Sequence, residues 1–180
     1  MGNILYTVTG PSGVGKSTLF QAAMGKEKLI LSFTTRKPRK GEIDGEDYLF
    51  ILKEKFDELD VKGGLFEKET YAENHYGITQ EEFEKKIRND CYFVTNVGGL
   101  KQIKEKYDKV VSYFIVSPIE DVEKQLRARG DSEKDIAVRL SKYKEDVGEL
   151  SKDTKFDVVF VNEYGKFDEM VEKLKKQIKG

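Results

Sequence analysis

The sequence predicts a three-layer α/β fold, in which helices cover both faces of a parallel β-sheet. Short, almost continuously apolar runs rich in β-branched and aromatic residues alternate along the chain with amphipathic helical segments. The apolar runs, interpreted as buried parallel strands, span residues 3–9, 91–97, 110–116 and 156–161. Strands that alternate with helices in this way favour an α/β domain.

The helical segments between the strands have recognisable ends. The first helix is predicted to begin near Lys16, and Thr79 is predicted to cap a later one. Ser117 followed by Pro118 is a second predicted cap, with proline at the first helical position, and Gly130 is expected to end that helix. Apolar residues three or four positions apart predict two further helices, one with Ile136, Leu140, Tyr143 and Val147 and one with Phe167, Met170, Val171, Leu174 and Ile178.

The stretch from Ser32 to about Gln80 interrupts this alternation. It is rich in glycine and contains a strand-like run at residues 46–52 and a short helical segment around Phe56. Glycine and proline punctuation of this kind predicts turns and small strands. The stretch is therefore interpreted as a subdomain inserted into the parallel fold.

Composition and charge narrow the possible partners. The chain has 180 residues, enough for one domain of ordinary size, and its net charge of −1 gives no overall attraction to nucleic acid or anionic lipid. Cys91 is the single cysteine, so an intramolecular disulfide is impossible and a reducing compartment is expected. The sequence has no apolar run of about 18 residues and no signal-peptide layout. We therefore expect a soluble, cytoplasmic protein that binds neither nucleic acid nor membrane.

A glycine-rich run, Gly10-Pro-Ser-Gly-Val-Gly-Lys16-Ser17, matches the phosphate-loop pattern G-x-x-x-x-G-K-S between a predicted strand and a predicted helix. Its glycines let successive N–H groups point at one spot, and the following helix adds unpaired N–H groups and the positive end of its dipole. Lys16 is expected to reach the β- and γ-phosphates of a nucleotide, and Ser17 to bind Mg²⁺. The alternative is a glycine-rich turn that happens to precede a lysine. The predicted ATP-binding residues here are Gly10, Pro11, Ser12, Gly13, Val14, Gly15, Lys16, Ser17 and Thr18.

Two clusters in the inserted stretch carry groups suited to a phosphorylated ligand. Arg36 and Arg39 lie three residues apart around Pro38, a geometry suited to gripping a phosphate, with a solvated basic turn as the alternative. Glu67 and Tyr76 offer a carboxylate for a base edge and a hydroxyl for a phosphate. Taken singly, Glu67 is better interpreted as a surface glutamate and Tyr76 as a core residue, and a functional role for either depends on the other clusters.

Arginines near a glycine corner form the next cluster. Arg127 and Arg129 precede Gly130, and Arg139 follows on the next predicted helix. Arginines so placed would cover the phosphates of a nucleotide and exclude water, as phosphoryl transfer requires. The alternative is that each arginine pairs with neighbouring glutamates on a helix surface.

On these residues the sequence resembles the guanylate kinases, small nucleoside monophosphate kinases, through essentially the whole chain. The matches are Gly10 to Thr18, Ser32 to Arg39, Gly41 to Tyr48, Phe66-Glu67, Tyr76-Gly77, Arg129-Gly130, Arg139 and Val161-Asn162. The resemblance implies one domain with a P-loop nucleoside-triphosphate hydrolase-type fold. Its expected parts are a core of residues 1–31, 89–124 and 141–180, an insertion at 32–88 that binds the nucleoside monophosphate, and a lid at 125–140.

The resemblance also implies an ATP:GMP phosphotransferase that accepts GMP and dGMP and uses Mg²⁺ with ATP. The implied acceptor residues are Ser32, Arg36, Arg39, Tyr48, Glu67, Tyr76 and Asn96, and the implied donor residues outside the loop are Arg129, Arg139 and Asn162. Lys16, Arg36, Arg129 and Arg139 are the expected catalytic residues. A carboxylate at Glu67 would suit guanine, because N1–H and N2–H₂ form a donor pair that adenine lacks.

Several positions depart from the pattern of similar enzymes. Those enzymes usually have Asp-x-Asp-x-Gln-Gly where this chain has Val94-Thr-Asn96-Val-Gly-Gly99, so two negative charges are missing and Mg²⁺ is left mainly to Ser17 and the phosphates. Ile78 replaces a serine or threonine that tends to touch the base, and Gln125 replaces a common lid arginine. Two alternatives stay open: a kinase on the same fold with another acceptor, such as another deoxynucleoside monophosphate or a phosphorylated sugar, and a non-catalytic binding module. A monomer or weak homodimer is expected.

Overall fold

The computed structural model describes residues 2–39, 41–71, 73–148 and 155–179. The strands within these residues are β1 (Leu5–Thr9), β2 (Phe33–Thr34), β3 (Leu49–Phe50), β4 (Leu65–Tyr71), β5 (Asn74–Thr79), β6 (Cys91–Val94), β7 (Val110–Val116) and β8 (Val158–Val161). The helices are α1 (Lys16–Met24), α2 (Lys53–Val61), α3 (Gln80–Lys86), α4 (Val97–Lys106), α5 (Ile119–Ala128), α6 (Glu133–Gly148) and α7 (Phe167–Lys179), with a short 3₁₀ turn at Lys26–Lys28.

Four parallel strands form the core sheet, in the order β6-β1-β7-β8. β1 pairs in parallel with β6 and β7, and β7 pairs in parallel with β8. Helices pack on both faces of this sheet, so the predicted three-layer α/β fold is confirmed. None of the helices in the described ranges is long and apolar enough to cross a membrane.

Side chains of β1 point alternately into two apolar clusters. Tyr6 and Val8 join a cluster with buried residues of α1, α5, α6 and α7, whereas Leu5 joins a cluster with residues of α3, α4 and β6. The second cluster also contains Phe66 of β4 and Ile78 of β5. It therefore fixes the other sheet of the protein to the core sheet.

The second sheet has the order β3-β2-β5-β4 and lies within the predicted insertion. β5 pairs antiparallel with both β4 and β2, and β2 pairs parallel with β3. Helix α2 covers one face, where the Phe56 ring lies 5.8 Å from that of Phe33 and stacks on His75 at 4.5 Å. The strand predicted at residues 46–52 is shorter than expected, because residues 45–47 form a turn and only Leu49–Phe50 pair with β2.

Of the two predicted side-chain caps, one is present in the structure and the other is not. The cap at Thr79 is confirmed, because its side chain accepts a hydrogen bond from the Glu82 amide at 3.1 Å. The predicted cap at Ser117 is wrong: α5 begins at Ile119 with Pro118 before it, and the Ser117 hydroxyl donates to the Asn162 carbonyl at 2.7 Å. Ser117 thus joins the ends of β7 and β8 instead of capping a helix.

The predicted strands agree with the structure best away from their ends. The prediction for residues 110–116 is confirmed in full, while β1 and β8 each begin two residues later than expected. The run predicted to extend to Val97 ends at Val94, because Asn96 caps α4 by accepting a hydrogen bond from the Gly99 amide at 2.9 Å. This early end brings a helix N-terminus to the edge where the acceptor was expected.

Candidate active site

The phosphate loop joins β1 to α1 and has the backbone that its glycines predict. Gly10, Gly13 and Gly15 have φ of 137°, 88° and 82°, in the region that favours glycine. A methyl group at Gly10 would lie 2.2 Å from the Ile115 carbonyl oxygen, so no other residue fits there. No side chain caps α1, so the amides of its first turn are free to face an anion.

Lys16 lies back across this loop. Its Nζ donates hydrogen bonds to the carbonyl oxygens of Gly10 at 2.6 Å and Pro11 at 2.7 Å. Burial lowers the pKa of Lys16 to about 8, with Asp146 of α6 opposing this shift and Arg139 adding to it. The ammonium group therefore donates to two loop carbonyl oxygens, and a phosphate bound in the loop would favour its charged form.

Asn162, at the end of β8, supports the same loop. Its side-chain amide donates to the Val14 carbonyl oxygen at 2.8 Å, and the residue is 7% exposed. A methyl group at Gly15 would lie 2.8 Å from this amide nitrogen. The structure therefore places Asn162 against the loop backbone, with one hydrogen of its side-chain amide bonded to the Val14 carbonyl oxygen.

Two arginines of the predicted lid meet at Asp131. Arg129 Nε donates to Asp131 Oδ1 at 2.9 Å, and Arg139 Nε lies 3.3 Å from Asp131 Oδ2. Arg139 also donates through Nη1 to the Ser12 hydroxyl, which connects α6 to the phosphate loop. Arg127 follows the alternative interpretation, in which an arginine pairs with neighbouring glutamates: it forms ion pairs with Glu123 of α5 and Glu133 of α6.

Arg36 of the insertion is held by a carboxylate that the sequence prediction missed. Its Nη1 and Nη2 donate to the two oxygens of Glu42 at 2.8 and 2.9 Å, and Glu42 also accepts from the Arg39 amide at 2.7 Å. The Arg36 guanidinium lies 5.3 Å from the centre of the Tyr48 ring, which in turn lies 6.0 Å from the Tyr76 ring. Arg36 Nε is buried and has no hydrogen-bond partner among the described residues.

The cations of the insertion and of the lid face each other. Burial lowers the pKa of Arg139, with Arg129 and Arg39 adding to the shift. The hydrogen bond from Arg129 lowers the pKa of Asp131, and Arg139 and Arg39 act in the same direction. Arg39 thus acts electrostatically on Arg139 and on Asp131, so the predicted acceptor-binding insertion lies near the predicted donor-binding lid.

Glu67 lies on β4 at the other end of the predicted acceptor site. It is 2% exposed, and its Oε1 accepts one hydrogen bond, from the Thr95 hydroxyl at 3.0 Å. Burial raises the pKa of Glu67 to about 7, Glu69 adds to the shift, and Thr95 and Lys106 oppose it. A carboxylate with one protein donor retains acceptor capacity for a ligand.

The remaining predicted acceptor residues are dispersed around this carboxylate. Ser32 precedes β2 and is half-buried, with its carbonyl accepting from the Leu49 amide at 2.9 Å. Asn96 is exposed, and its Oδ1 caps α4 while its Nδ2 donates to Glu69 at 3.2 Å. Ile78 is fully buried in the cluster shared by the two sheets, so its side chain belongs to the core.

Metal-binding groups are few in this region. Within the described residues, no group of three or more His, Cys, Asp or Glu side chains is arranged to hold a metal ion. Ser17 is exposed on the first turn of α1, and a hydroxyl oxygen is a ligand type that Mg²⁺ accepts when phosphates complete its shell. A contact between Ser17 and a metal ion therefore stays a prediction.

Comparisons with known proteins agree with this geometry. A model of the guanylate kinase family matches residues 3–180. Guanylate kinase of Trichormus variabilis is 38% identical over 166 residues, which are 88% of this chain and 82% of the relative. Guanylate kinase of Prochlorococcus marinus is 36% identical over 184 residues, 98% of this chain and 97% of the relative. The crystal structure of guanylate kinase from Anaplasma phagocytophilum has a TM-score of 0.72 at 22% identity, covering 99% of this chain and 85% of that one, which supports the fold.

Proposed function

Because the chain belongs to the guanylate kinase family, we propose that it transfers the γ-phosphate of ATP to GMP and to dGMP. The products are ADP and the corresponding guanosine diphosphate. One observation carries the proposal beyond family membership: Arg139 contacts Ser12 of the phosphate loop and interacts electrostatically with Arg129 of the lid and with Arg39 of the insertion. Such a cluster suits two phosphorylated molecules brought end to end.

The reaction that this cluster suits is an in-line phosphoryl transfer. The acceptor is itself a phosphate, ionised at neutral pH, so its oxygen attacks the γ-phosphorus without a general base. Catalysis then consists of positioning and of neutralising the charge spread over the transferring group. We assign these roles to Lys16 on the loop side, to Arg36 and Arg39 on the acceptor side, and to Arg129 and Arg139 over the donor phosphates.

The carboxylates that hold these arginines fit the same assignment. Glu42 occupies the fork of Arg36, and Asp131 occupies the space between Arg129 and Arg139. Each carboxylate places an anion where a phosphate would bind. Incoming phosphates therefore meet guanidinium groups that are already oriented.

We also propose that Mg²⁺ binds with ATP and contacts the Ser17 hydroxyl. When bound, the ion withdraws charge from the phosphate oxygens and orients the donor. The chain's own part is to present Ser17 on the first turn of α1 while the loop amides and Lys16 hold the phosphates. Asn162 acts on this site by fixing the Val14 carbonyl, and an adenine contact by Asn162 stays a prediction.

Selection of guanine is assigned to Glu67. Its carboxylate is buried with one donor, from Thr95, and guanine offers the donor pair that it lacks. With adenine this carboxylate would stay buried with Thr95 as its one donor, which costs binding energy.

A panel of acceptors with MgATP, followed by ADP release in a coupled assay, tests the proposed function. GMP and dGMP are expected to be the best acceptors among purine and pyrimidine monophosphates and phosphorylated sugars. If they are the poorest, the base assignment is wrong and the alternative kinase is favoured. If no acceptor stimulates ADP release, the chain is the non-catalytic module.

The cellular role is proposed on the same footing. We propose that the protein is a cytoplasmic enzyme of purine nucleotide metabolism and acts as a monomer or weak homodimer. Sedimentation velocity over a range of protein concentrations measures the assembly state. A stable higher oligomer would contradict this part of the proposal.

A further inference from the structure

A second glutamate follows Glu67 on the same face of β4. In the antiparallel pairing with β5, Glu67 lies opposite Ile78 and Glu69 lies opposite Tyr76. Residues two apart on a strand share a face, so both carboxylates lie on the face that carries Tyr76. The sequence prediction assigned Glu67 and Tyr76 to the acceptor and gave Glu69 no role.

The Glu69 carboxylate is fixed by two side-chain amides. Its Oε2 accepts from Asn96 Nδ2 at 3.2 Å, and its Oε1 accepts from Gln102 Nε2 at 2.9 Å. Gln102 also donates to the Lys68 carbonyl at 2.8 Å and accepts from the Lys68 amide at 3.2 Å. Gln102 thereby ties α4 to β4, and Glu69 has a single position between them.

Paired glycines at the start of α4 make room for the two carboxylates. A methyl group at Gly98 would lie 2.3 Å from Glu69 Oε1, and one at Gly99 would lie 2.1 Å from Glu67 Oε1. Any larger residue at either position would displace a carboxylate. Both negative charges therefore lie beside the positive end of the α4 dipole, which favours them.

Asn96 gains a unique orientation from these contacts. Its Oδ1 accepts from the Gly99 amide, and its Nδ2 donates to Glu69. A flipped amide would place its nitrogen against an N–H donor and its oxygen against a carboxylate. One Nδ2 hydrogen and one Oδ1 lone pair stay available to a ligand in a fixed direction.

We propose that Glu69 is a positioning residue of the acceptor pocket, which orients the Asn96 amide and places a second negative charge beside Glu67. Similar enzymes usually have a carboxylate at the position of Asn96, and here the neighbouring strand supplies the charge instead. This inference rests on the proposed function, because it concerns the same acceptor site. Glu69 thereby compensates for one departure from the family pattern.

Steady-state kinetics of Glu69→Ala and Glu69→Gln at pH 8.5, where Glu67 is ionised, test the role. Both variants are expected to raise KM for GMP about tenfold, the effect of one lost charge-assisted hydrogen bond, while KM for ATP stays within twofold. Asp60→Asn is the matched control, because Asp60 contacts Lys68 of the same strand at 2.6 Å. It is expected to leave both KM values unchanged.

A charge exchange separates positioning from general damage. Asn96→Asp alone is expected to raise KM for GMP, because a third carboxylate faces Glu69 and Glu67. Combined with Glu69→Ala, it is expected to restore KM for GMP to within about threefold of wild type, since one carboxylate again stands beside Glu67. Additive losses in the double variant would overturn the proposal.

The pH profile gives a readout that a merely structural role would not move. KM for GMP is expected to fall as the pH rises through about 7, since Glu67 must ionise to accept from guanine. Removing the charge in Glu69→Gln is expected to move this midpoint to lower pH, while Lys106 and Thr95 still act on Glu67. The pH profile of Glu67→Gln, which lacks the titrating carboxylate, gives the part of the pH dependence that comes from titration of the GMP phosphate.

The outcomes for the two proposals are distinct. A wild-type protein that does not phosphorylate GMP would refute the proposed function. A wild-type protein that does, with Glu69→Ala and Glu69→Gln matching it in KM and in pH midpoint, would refute the role of Glu69 alone. The Asn96 side-chain amide signals in ¹⁵N NMR report the orientation directly, and we expect them to shift in Glu69→Ala.

Discussion

The side-chain amide of Asn162 donates a hydrogen bond to the carbonyl oxygen of Val14, 2.8 Å away. This bond joins the last strand of the core sheet to the middle of the phosphate loop. Asn162→Ala would leave a buried carbonyl without its donor and let the loop relax. We expect KM for ATP to rise about tenfold and the free energy of unfolding to fall by about 1–2 kcal/mol.

KM values for ATP and GMP, together with urea unfolding, measure this effect. Asn3→Ala is the matched control, because its amide donates to the Ile87 carbonyl at 2.9 Å, outside the candidate site. The control is expected to lose stability without losing ATP affinity. An equal rise in KM for both nucleotides in Asn162→Ala would contradict a role confined to the loop.

Removing the loop lysine separates catalysis from stability. Lys16→Met is expected to lower kcat/KM by about 10²- to 10³-fold, since a preorganised cation at the transferring phosphate is lost. It is also expected to raise the melting temperature, because burial lowers the pKa of Lys16 to about 8 and the ammonium is disfavoured in the fold. Calorimetry and initial rates measure the two effects, with exposed Lys101→Met as control. Unchanged turnover in Lys16→Met would refute the role assigned to the loop.

Glu67 links stability to pH. Burial raises the pKa of Glu67 from 4.5 to about 7, so between these values the folded protein keeps a proton that the unfolded chain has lost. The contribution of Glu67 to the free energy of unfolding is therefore present below pH 4.5 and lost as the pH rises through 7. Glu67→Gln is expected to remove this dependence and to be more stable at pH 8, by up to about 3 kcal/mol.

The same variant is expected to lose most of its discrimination between GMP and AMP. Denaturant unfolding of both proteins from pH 4.5 to 8 gives the stability difference, and acceptor kinetics give the selectivity. If wild type and Glu67→Gln have parallel stability profiles, Glu67 titrates normally and the buried-carboxylate account is wrong.

Asp131 lies between Arg129 and Arg139 and offsets the repulsion between their positive charges. Asp131→Asn leaves Arg129 and Arg139 without this carboxylate, so their repulsion, increased by Arg39, lowers stability at low salt. ATP without Mg²⁺ is expected to restore it, giving a larger thermal shift in Asp131→Asn than in wild type. Glu133→Gln, which removes an exposed partner of Arg127, is the control and should match wild type. Equal thermal shifts in all three proteins would exclude Asp131 as a stand-in for phosphate.

Local signals account for what the sequence predicted well. The phosphate loop depends on glycine backbone geometry, the Thr79 cap on residues three apart, and the strand at residues 110–116 on a continuous apolar run. Each of these can be recognised within a few neighbouring residues. The error at Ser117 has a tertiary cause, because its hydroxyl pairs with the end of a strand 45 residues away in the chain.

The carboxylates that orient the site were not predictable in the same way. Glu42 and Asp131 lie close in sequence to their arginines, yet nothing local distinguishes them from the many other acidic residues of the chain. Glu69 is the exception, because its position could be inferred from the sequence: it follows Glu67 by two residues, the spacing of side chains on one face of a strand. Its partners lie elsewhere in the chain, Asn96 at the N-terminal cap of α4 and Gln102 within that helix, and could be found only in the fold.

The apolar cluster shared by the two sheets would limit any movement of the insertion on substrate binding. Phe66 and Ile78 lie near the inner ends of β4 and β5, 3% and 0% exposed, and pack in the cluster that holds Leu5 of the core sheet. Movement of the whole insertion away from the core would expose these apolar side chains to water, which is unfavourable. The cluster is therefore expected to stay in place and act as the pivot of any such movement. Arg36 follows β2 beyond Thr34, which pairs with Tyr76 toward the far hairpin. A small bend at the pivot would therefore move Arg36 farther than it moves the cluster, because Arg36 lies farther along the sheet.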